Sequence, residues 1–262
     1  MEIDKAIVYA EREGFRALEL DVYRGDATPA AGAPLVVYLH GGGWRVSHRS
    51  RAPRETRGWD RGFFERIVDA GFVVAAPDYR FSGEAPFPAQ RDDVVEALRW
   101  LVDHAGELGT DPARLVVWGA SGGGLLAALA GLVADAPPVA GVVCWYPVTD
   151  LPALDLAAKG TYEAHLVGGP IGEHLDLARA ASPARQVRAG APPFLLQHGD
   201  ADTWVPVDQS LRLAAALRAA GGSVELEVVP GADHFFEGAD PEPIFERALN
   251  FLLRLAPRHP SE

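Results

Sequence analysis

A serine framed by glycines is the residue whose setting points most directly to chemistry. Gly119-Ala120-Ser121-Gly122-Gly123 has the form G-x-S-x-G. It stands between an apolar run, Leu115 to Trp118, and an apolar segment, Gly122 to Ala134. A turn that passes straight from strand to helix is tight, and glycines two before and two after the serine remove side chains that would collide there. The hydroxyl would then stand above the end of a sheet, with the following amides at the positive end of a helix. A phosphate-binding loop is the competing use of such glycines. No lysine follows them as in a Walker loop, and the spacing is not G-x-G-x-x-G, so Ser121 is read as a nucleophile.

A nucleophile attacking a carbonyl needs donors waiting for the charge that develops on oxygen. His40-Gly41-Gly42-Gly43-Trp44 directly follows the apolar run Leu35 to Leu39. Backbone amides without a Cβ beside them suit that task. The expected oxyanion donors are Gly41, Gly42 and Gly122, with Gly43 as a substitute for one of the first two. His40 is expected to support the loop. An acid and a base are found further on. His198-Gly199-Asp200-Ala201-Asp202 follows the run Phe194 to Gln197, and Gly231-Ala232-Asp233-His234 follows Val224 to Val229. A carboxylate at a strand's C-terminal end can orient an imidazole and stabilise its cation. Asp202 is expected to do so for His234 as general base, while Asp200 shapes the turn. No H-E-x-x-H and no paired cysteines appear, and no metal is expected.

These residues need elements to position them. Short apolar runs alternate with longer amphipathic segments. Strands are expected at Leu35–Leu39, Phe72–Ala76, Leu115–Trp118, Val139–Trp145, Phe194–Gln197 and Val224–Val229. Helices are expected at Phe63–Ala70, Ala89–His104, Gly122–Ala134, Val207–Ala220 and Ile244–Leu255. Strands that are apolar throughout suit a parallel sheet covered on both faces, and the alternation predicts a doubly wound α/β sheet. Ala17 to Tyr23 alternates more and is expected as an antiparallel strand at the sheet's edge. Asp150 to Arg185 breaks the alternation and reads as a short lid-like insertion in a single domain spanning 1–262.

Composition narrows the function classes. The chain has 262 residues and a net charge of −12, which argues against binding nucleic acid or anionic lipid. One cysteine, Cys144, lies in the apolar run Val142 to Trp145 and reads as a core thiol. Neither a signal peptide nor an apolar run of bilayer length is expected, and the reading is a cytoplasmic protein. Arg45, Arg49, Arg51, Arg54, Arg57 and Arg61 form a local basic exception, read as a solvated loop, with a site for a carboxylate-bearing substrate as the alternative. Aromatic residues flank the motifs. At least half of Trp44, Tyr79, Phe81, Phe87, Trp145, Trp204, Phe235 and Phe236 are expected in the core, and Trp44, Trp204 and Phe235 are expected to wall a pocket.

The chain resembles the small α/β-hydrolase carboxylesterases related to hormone-sensitive lipase, and within them the bacterial feruloyl esterase-like branch. The resemblance rests on His40-Gly41-Gly42-Gly43-Trp44, Asp78-Tyr79-Arg80, Phe87-Pro88-Ala89, Gly119-Ala120-Ser121-Gly122-Gly123, Ala181-Ser182-Pro183, the Asp202 segment and Gly231-Ala232-Asp233-His234. The order serine, aspartate, histidine is that of α/β-hydrolases. The resemblance implies a cofactor-free esterase acting through an acyl-enzyme on a small-molecule ester, as a monomer or homodimer. Short acyl or aryl esters are expected over long-chain fats. Relatives near hormone-sensitive lipase usually carry a larger N-terminal cap. About 15 residues precede the first expected strand here, so the lid is expected from 150–185. An arylformamidase or amidase with the same residues, a peptidase, and a non-catalytic binding protein of this fold are the alternative readings.

Overall fold

In a parallel sheet covered on both faces, both alternating sets of side chains must be apolar, and the central strands meet that demand. In the computed structural model, which describes residues 1–25, 32–155, 157 and 159–255, eight strands form one sheet. They are β1 (Glu2–Ala10), β2 (Leu18–Arg24), β3 (Ala33–Leu39), β4 (Val73–Pro77), β5 (Thr110–Ala120), β6 (Gly141–Trp145), β7 (Phe194–Gly199) and β8 (Val224–Val229). Their spatial order is β1-β2-β4-β3-β5-β6-β7-β8. The six from β4 to β8 run parallel, β2 is antiparallel to β4, and β1 is antiparallel to β2.

The strand period of two sorts side chains between two cores. Leu35, Val37, Leu115 and Val117 join one core with α2 (Ala89–Asp103), α4 (Gly122–Leu132) and α7 (Asp208–Ala219). Val36, Tyr38, Val116 and Trp118 join the other with α1 (Phe63–Asp69) and α8 (Pro241–Leu255). In α8 the buried residues Ile244, Phe245, Ala248, Phe251 and Leu252 recur at helical spacing and form one stripe. α4 lies against β5 and β6 and is buried almost all round, which its run of Gly, Ala and Leu permits. The four-residue helix α3 (Ala105–Leu108) only bridges α2 to β5.

The expected edge is corrected. β2 is antiparallel, as its alternation suggests, but it lies inside the sheet, and β1 covers it. β1 escapes the pattern because it is largely exposed, and because its register shifts between Asp4 and Ile7, where Ala6 has a φ of 57°. A bulge there breaks the period of two. Residues 2–10 are therefore strand and not a stretch preceding it. The segment 150–185 contains α5 (Tyr162–Val167), α6 (Leu175–Ala180) and three single 3-10 turns, all too short to leave a periodic signal. Its two ends are joined by Arg185, whose Nε donates to Asp150 Oδ1 at 2.6 Å.

The arginine-rich segment is not simply solvated. Arg49 is 8% exposed, and its guanidinium meets Glu19 at 2.8 Å, Asp21 at 2.8 Å and Asp78 at 2.7 Å. Glu19 and Asp21 belong to β2, and Asp78 follows β4, so Arg49 clamps its loop to the sheet. Removing one partner of a buried ion cluster leaves uncompensated charge. Arg49→Ala is expected to lower unfolding stability by about 3–5 kcal/mol, read by urea denaturation. A loss below about 1 kcal/mol would mean that the cluster is effectively solvated.

Candidate active site

Four loops at the C-terminal ends of β3, β5, β7 and β8 converge, which is where ligands meet open parallel sheets. Ser121 stands between β5 and α4 with φ 53° and ψ −121°. This is a costly conformation for a residue with a Cβ, and the surroundings hold it. The Ser121 amide donates to the Trp145 carbonyl at 2.9 Å, and its carbonyl accepts from the Gly124 amide at 2.8 Å. The flanking glycines permit close approach: a Cβ on Gly119 would lie 2.1 Å from the Gly123 carbonyl oxygen, and one on Gly123 would lie 2.1 Å from that of Leu39.

The Ser121 hydroxyl lies 3.2 Å from His234 Nε2, and His234 Nδ1 lies 2.7 Å from Asp202 Oδ2. The arrangement that satisfies both contacts has Nδ1–H donating to the carboxylate and Ser121 donating to a neutral Nε2. Asp202 Oδ1 accepts the amides of Trp204 at 2.9 Å and Val205 at 2.8 Å. His198 Nε2 lies 3.2 Å from Asp202 Oδ2 and 2.9 Å from the Val205 carbonyl, while its Nδ1 lies 2.7 Å from the Ser210 hydroxyl. A hydroxyl donating to Nδ1 leaves Nε2–H for the carbonyl and the carboxylate. Burial alone would push the Asp202 carboxyl up. Hydrogen bonds from His198, His234 and the Val205 amide outweigh it and hold the group well below the usual carboxylate range. The chain can therefore present an ionised, sealed carboxylate to an imidazole that faces a hydroxyl.

Asp200 does more than shape its own turn. Its Oδ1 accepts the Gly231 amide at 2.6 Å, which ties the β7 loop to the β8 loop. Asp233 ties them again, accepting from the Thr203 and His234 amides, both at 2.7 Å.

The glycine loop after β3 lies beside the serine. A Cβ on Gly41 would sit 3.4 Å from Ser121 Cβ, and one on Gly122 would sit 3.4 Å from the Gly43 amide nitrogen. Gly42 has a φ of 105°, and a side chain there would meet the Val46 carbonyl oxygen at 1.9 Å. Among the described residues, the amides of Gly41, Gly42 and Gly43 have no acceptor. His40 is buried and stacks on Tyr79, with centroids 4.5 Å apart, and the Tyr79 hydroxyl donates to the His40 carbonyl at 2.8 Å. Burial lowers the His40 ring to about 4, so it is neutral near pH 7.

The three aromatics expected at the pocket take different places. Trp204 is 62% exposed and stacks on the His234 ring at 5.4 Å. Phe235 packs edge-on to the same ring at 4.4 Å. Trp44 is buried, and its indole N–H donates to the Gly122 carbonyl at 2.8 Å, so it ties the glycine loop to the first turn of α4. Tyr79, Phe87, Trp145 and Phe236 are buried in the core, as expected for at least half of the set.

Two cavities meet at Ser121. One of about 90 Å³ is bounded by Trp44, Gly122, Val148, Tyr162, Trp204 and His234. The other, about 490 Å³, opens between Gly41, Gly42, Ser121 and the segment 46–57.

Sequence reasoning missed His198, Tyr146 and Glu55. The Tyr146 ring lies 4.6 Å from that of His234, and its hydroxyl donates to Glu55 Oε1 at 2.6 Å. No local pattern signals these contacts, because the partners lie about ninety residues apart along the chain. Glu55 Oε2 is buried without a partner, and burial raises the carboxyl from its ordinary 4.5 to about 7. A raised carboxyl binds its proton more tightly in the folded state. Its contribution to stability is full below about 4.5 and is lost as pH rises through about 7. The stability of the native protein relative to Glu55→Gln is expected to fall over that interval by at most about 3 kcal/mol, read by urea denaturation at pH 5 and 7.5. A constant difference would show that Glu55 is ionised throughout.

Comparison with known proteins bears on this geometry. The BD-FAE family model matches residues 20–217. Carboxylesterase NlhH of Mycobacterium tuberculosis is 35% identical over 219 residues, covering 77% of this chain and 66% of NlhH. The chain thus spans just under two thirds of that relative's length. Two solved structures superpose nearly end to end. A truncated carbohydrate esterase from gut microbiota has a TM-score of 0.84 and 25% identity, covering 98% of this chain and 97% of that one. A thermophilic esterase from Thermogutta terrifontis, Est2, has a TM-score of 0.78 and 29% identity, covering 99% and 95%. The chain has the α/β-hydrolase fold and belongs to the BD-FAE family, among the esterases related to hormone-sensitive lipase.

Proposed function

We propose that the protein is a serine carboxylesterase that cleaves small carboxylic esters through an acyl-enzyme. The observation that carries this reading is the hydrogen-bonded chain from Ser121 through His234 to Asp202. His234 Nε2 takes the proton of Ser121 as its oxygen attacks the ester carbonyl. The amides of Gly41, Gly42 and Gly122 receive the charge on the carbonyl oxygen. His234 then returns the proton to the leaving alcohol, and water repeats the sequence on the acyl-enzyme. Asp202 fixes the imidazole tautomer and stabilises the transient cation. The reaction as proposed uses no cofactor.

A small group on one side of the ester is favoured because the cavity beside His234 is only about 90 Å³ and is bounded by Trp204 and Tyr162. Est2 from Thermogutta terrifontis has been solved with propionate and with butyrate bound, which supports short acyl groups by analogy. Tyr162 lies in the segment 150–185 and rests against Gly43, and in this reading the segment is a small lid on a single hydrolase domain. A buried lone thiol at Cys144 suits a reducing compartment, and the reading extends to a cytoplasmic monomer or homodimer. No described helix is long and apolar enough to cross a membrane.

Ser121→Ala is expected to reduce hydrolysis of p-nitrophenyl acetate and butyrate by about 10⁴-fold or more, with circular dichroism unchanged. Asp202→Asn is expected to cost about 10⁴-fold, by favouring the wrong tautomer of His234. Retained turnover in the serine variant would require another nucleophile.

A further inference from the structure

Five of the six arginines between 45 and 61 divide by environment. Arg49 is clamped by three carboxylates, and Arg61 pairs with Asp69 at 2.7 Å. Arg51, Arg54 and Arg57 instead line the cavity of about 490 Å³ that opens on Ser121, together with His48. Among the described residues, none of these three pairs with a carboxylate, and no Asp or Glu lines the cavity. Chance favours the opposite in a chain with 36 acidic and 24 basic residues. Glu55, their immediate neighbour, directs its carboxylate to the Tyr146 hydroxyl. The Arg54 guanidinium lies 5.1 Å from the centre of the Phe235 ring, which itself packs on His234. Arg54 thereby joins the basic wall to the reacting centre, and Arg49 anchors the same segment to the sheet. Three arginines lining an opening beside Ser121 supply donors that suit a carboxylate. They also give an anion a local attraction that the net charge of −12 would otherwise oppose.

Resting on the esterase reading of Ser121, we propose that the substrate is an ester bearing a second, ionised carboxylate, which Arg51, Arg54 and Arg57 hold in the wider cavity. The carboxylate belongs either to the acyl part, as in a half-ester of a dicarboxylic acid, or to the alcohol part, as in an acylated hydroxy acid. Hydrolysis itself is unchanged: the ester bond breaks, water supplies the hydroxyl of the new acid and the proton of the alcohol, and the second carboxylate stays ionised.

Two matched pairs separate these sources. Mono-p-nitrophenyl succinate against p-nitrophenyl butyrate places the charge on the acyl side. 4-Acetoxybenzoate against its methyl ester places it on the alcohol side. Each kcat/KM is divided by the rate of hydroxide-catalysed hydrolysis. In one pair, the anionic to neutral ratio is expected to exceed one and to fall about tenfold or more in Arg51→Gln/Arg54→Gln/Arg57→Gln, carried by KM. It should also fall with added salt. The pair that responds names the source. If the ratio is below one in both pairs and the triple variant leaves it there, the proposal is overturned. Calorimetric binding of succinate against succinamide tests the arginines without turnover or mutation. Succinate alone should bind the wild type, and absent or equal binding of the two overturns the proposal. Failure to cleave any of the four esters would instead count against the esterase reading.

Discussion

The end of β3, the turn after β5 and the first turn of α4 approach more closely than side chains would allow. Gly123 lies where a Cβ would overlap the Leu39 and His40 carbonyl oxygens, and Gly119 where one would overlap Gly123 itself. This contact brings the glycine loop of 41–43 beside Ser121, and it forces Ser121 into its positive φ. Trp44 then fastens the loop to α4 through its bond to the Gly122 carbonyl. The unpaired amides are therefore held in place before any substrate arrives. Donors fixed in advance need not reorganise as charge develops, which is the main advantage a protein site has over water.

The second half of the site is built by cross-bracing. The loops after β7 and β8 carry the acid and the base, and beyond a single 3-10 turn at His234–Phe236 neither loop has regular structure to hold it. Asp200 and Asp233 each reach across to a backbone amide of the opposite loop. Asp202 is buried, yet it is surrounded by donors: two amides, His198 and His234. A buried carboxylate is tolerable only with such partners, and here they also keep it ionised. His198 thus acts on Asp202 and not on substrate. Tyr146 has a φ of 38° and is wedged between His234 and Glu55, so it closes the inner side of the imidazole.

Much of this was legible before the structure. Strands β3 to β7 announce themselves because both faces are buried and each carries an apolar run, while the half-buried edge strand β8 shows a Val-Leu-Val alternation with glutamates. The positions of Ser121, Asp202 and His234 followed from which strand each residue succeeds. β1 was illegible because an exposed strand with a bulge carries no alternation. The place of β2 inside the sheet was illegible for the same reason, since its neighbour was unseen. Arg49 looked like its neighbours, and only the fold shows that Glu19, Asp21 and Asp78 surround it. Tyr146 and Glu55 act through contacts between distant segments, which no local pattern records, and His198 meets Asp202 four residues on only because the loop after β7 folds back over it. Trp44 was expected at a pocket wall and does bound the smaller cavity, while the bond from its indole N–H to the distant Gly122 carbonyl left no mark in the sequence.

The central claim is that the environment of Ser121 makes this one hydroxyl nucleophilic. It is tested most directly by reacting the protein with a stoichiometric organophosphonate and mapping the adduct by peptide mass spectrometry. The relative Est2 has been solved phosphonylated by sarin, so the fold accommodates such an adduct. One adduct per chain, on the peptide containing Ser121, with ester turnover lost in proportion to labelling, is the predicted result. Turnover that persists in fully labelled protein, or labelling confined to another residue, would contradict the account.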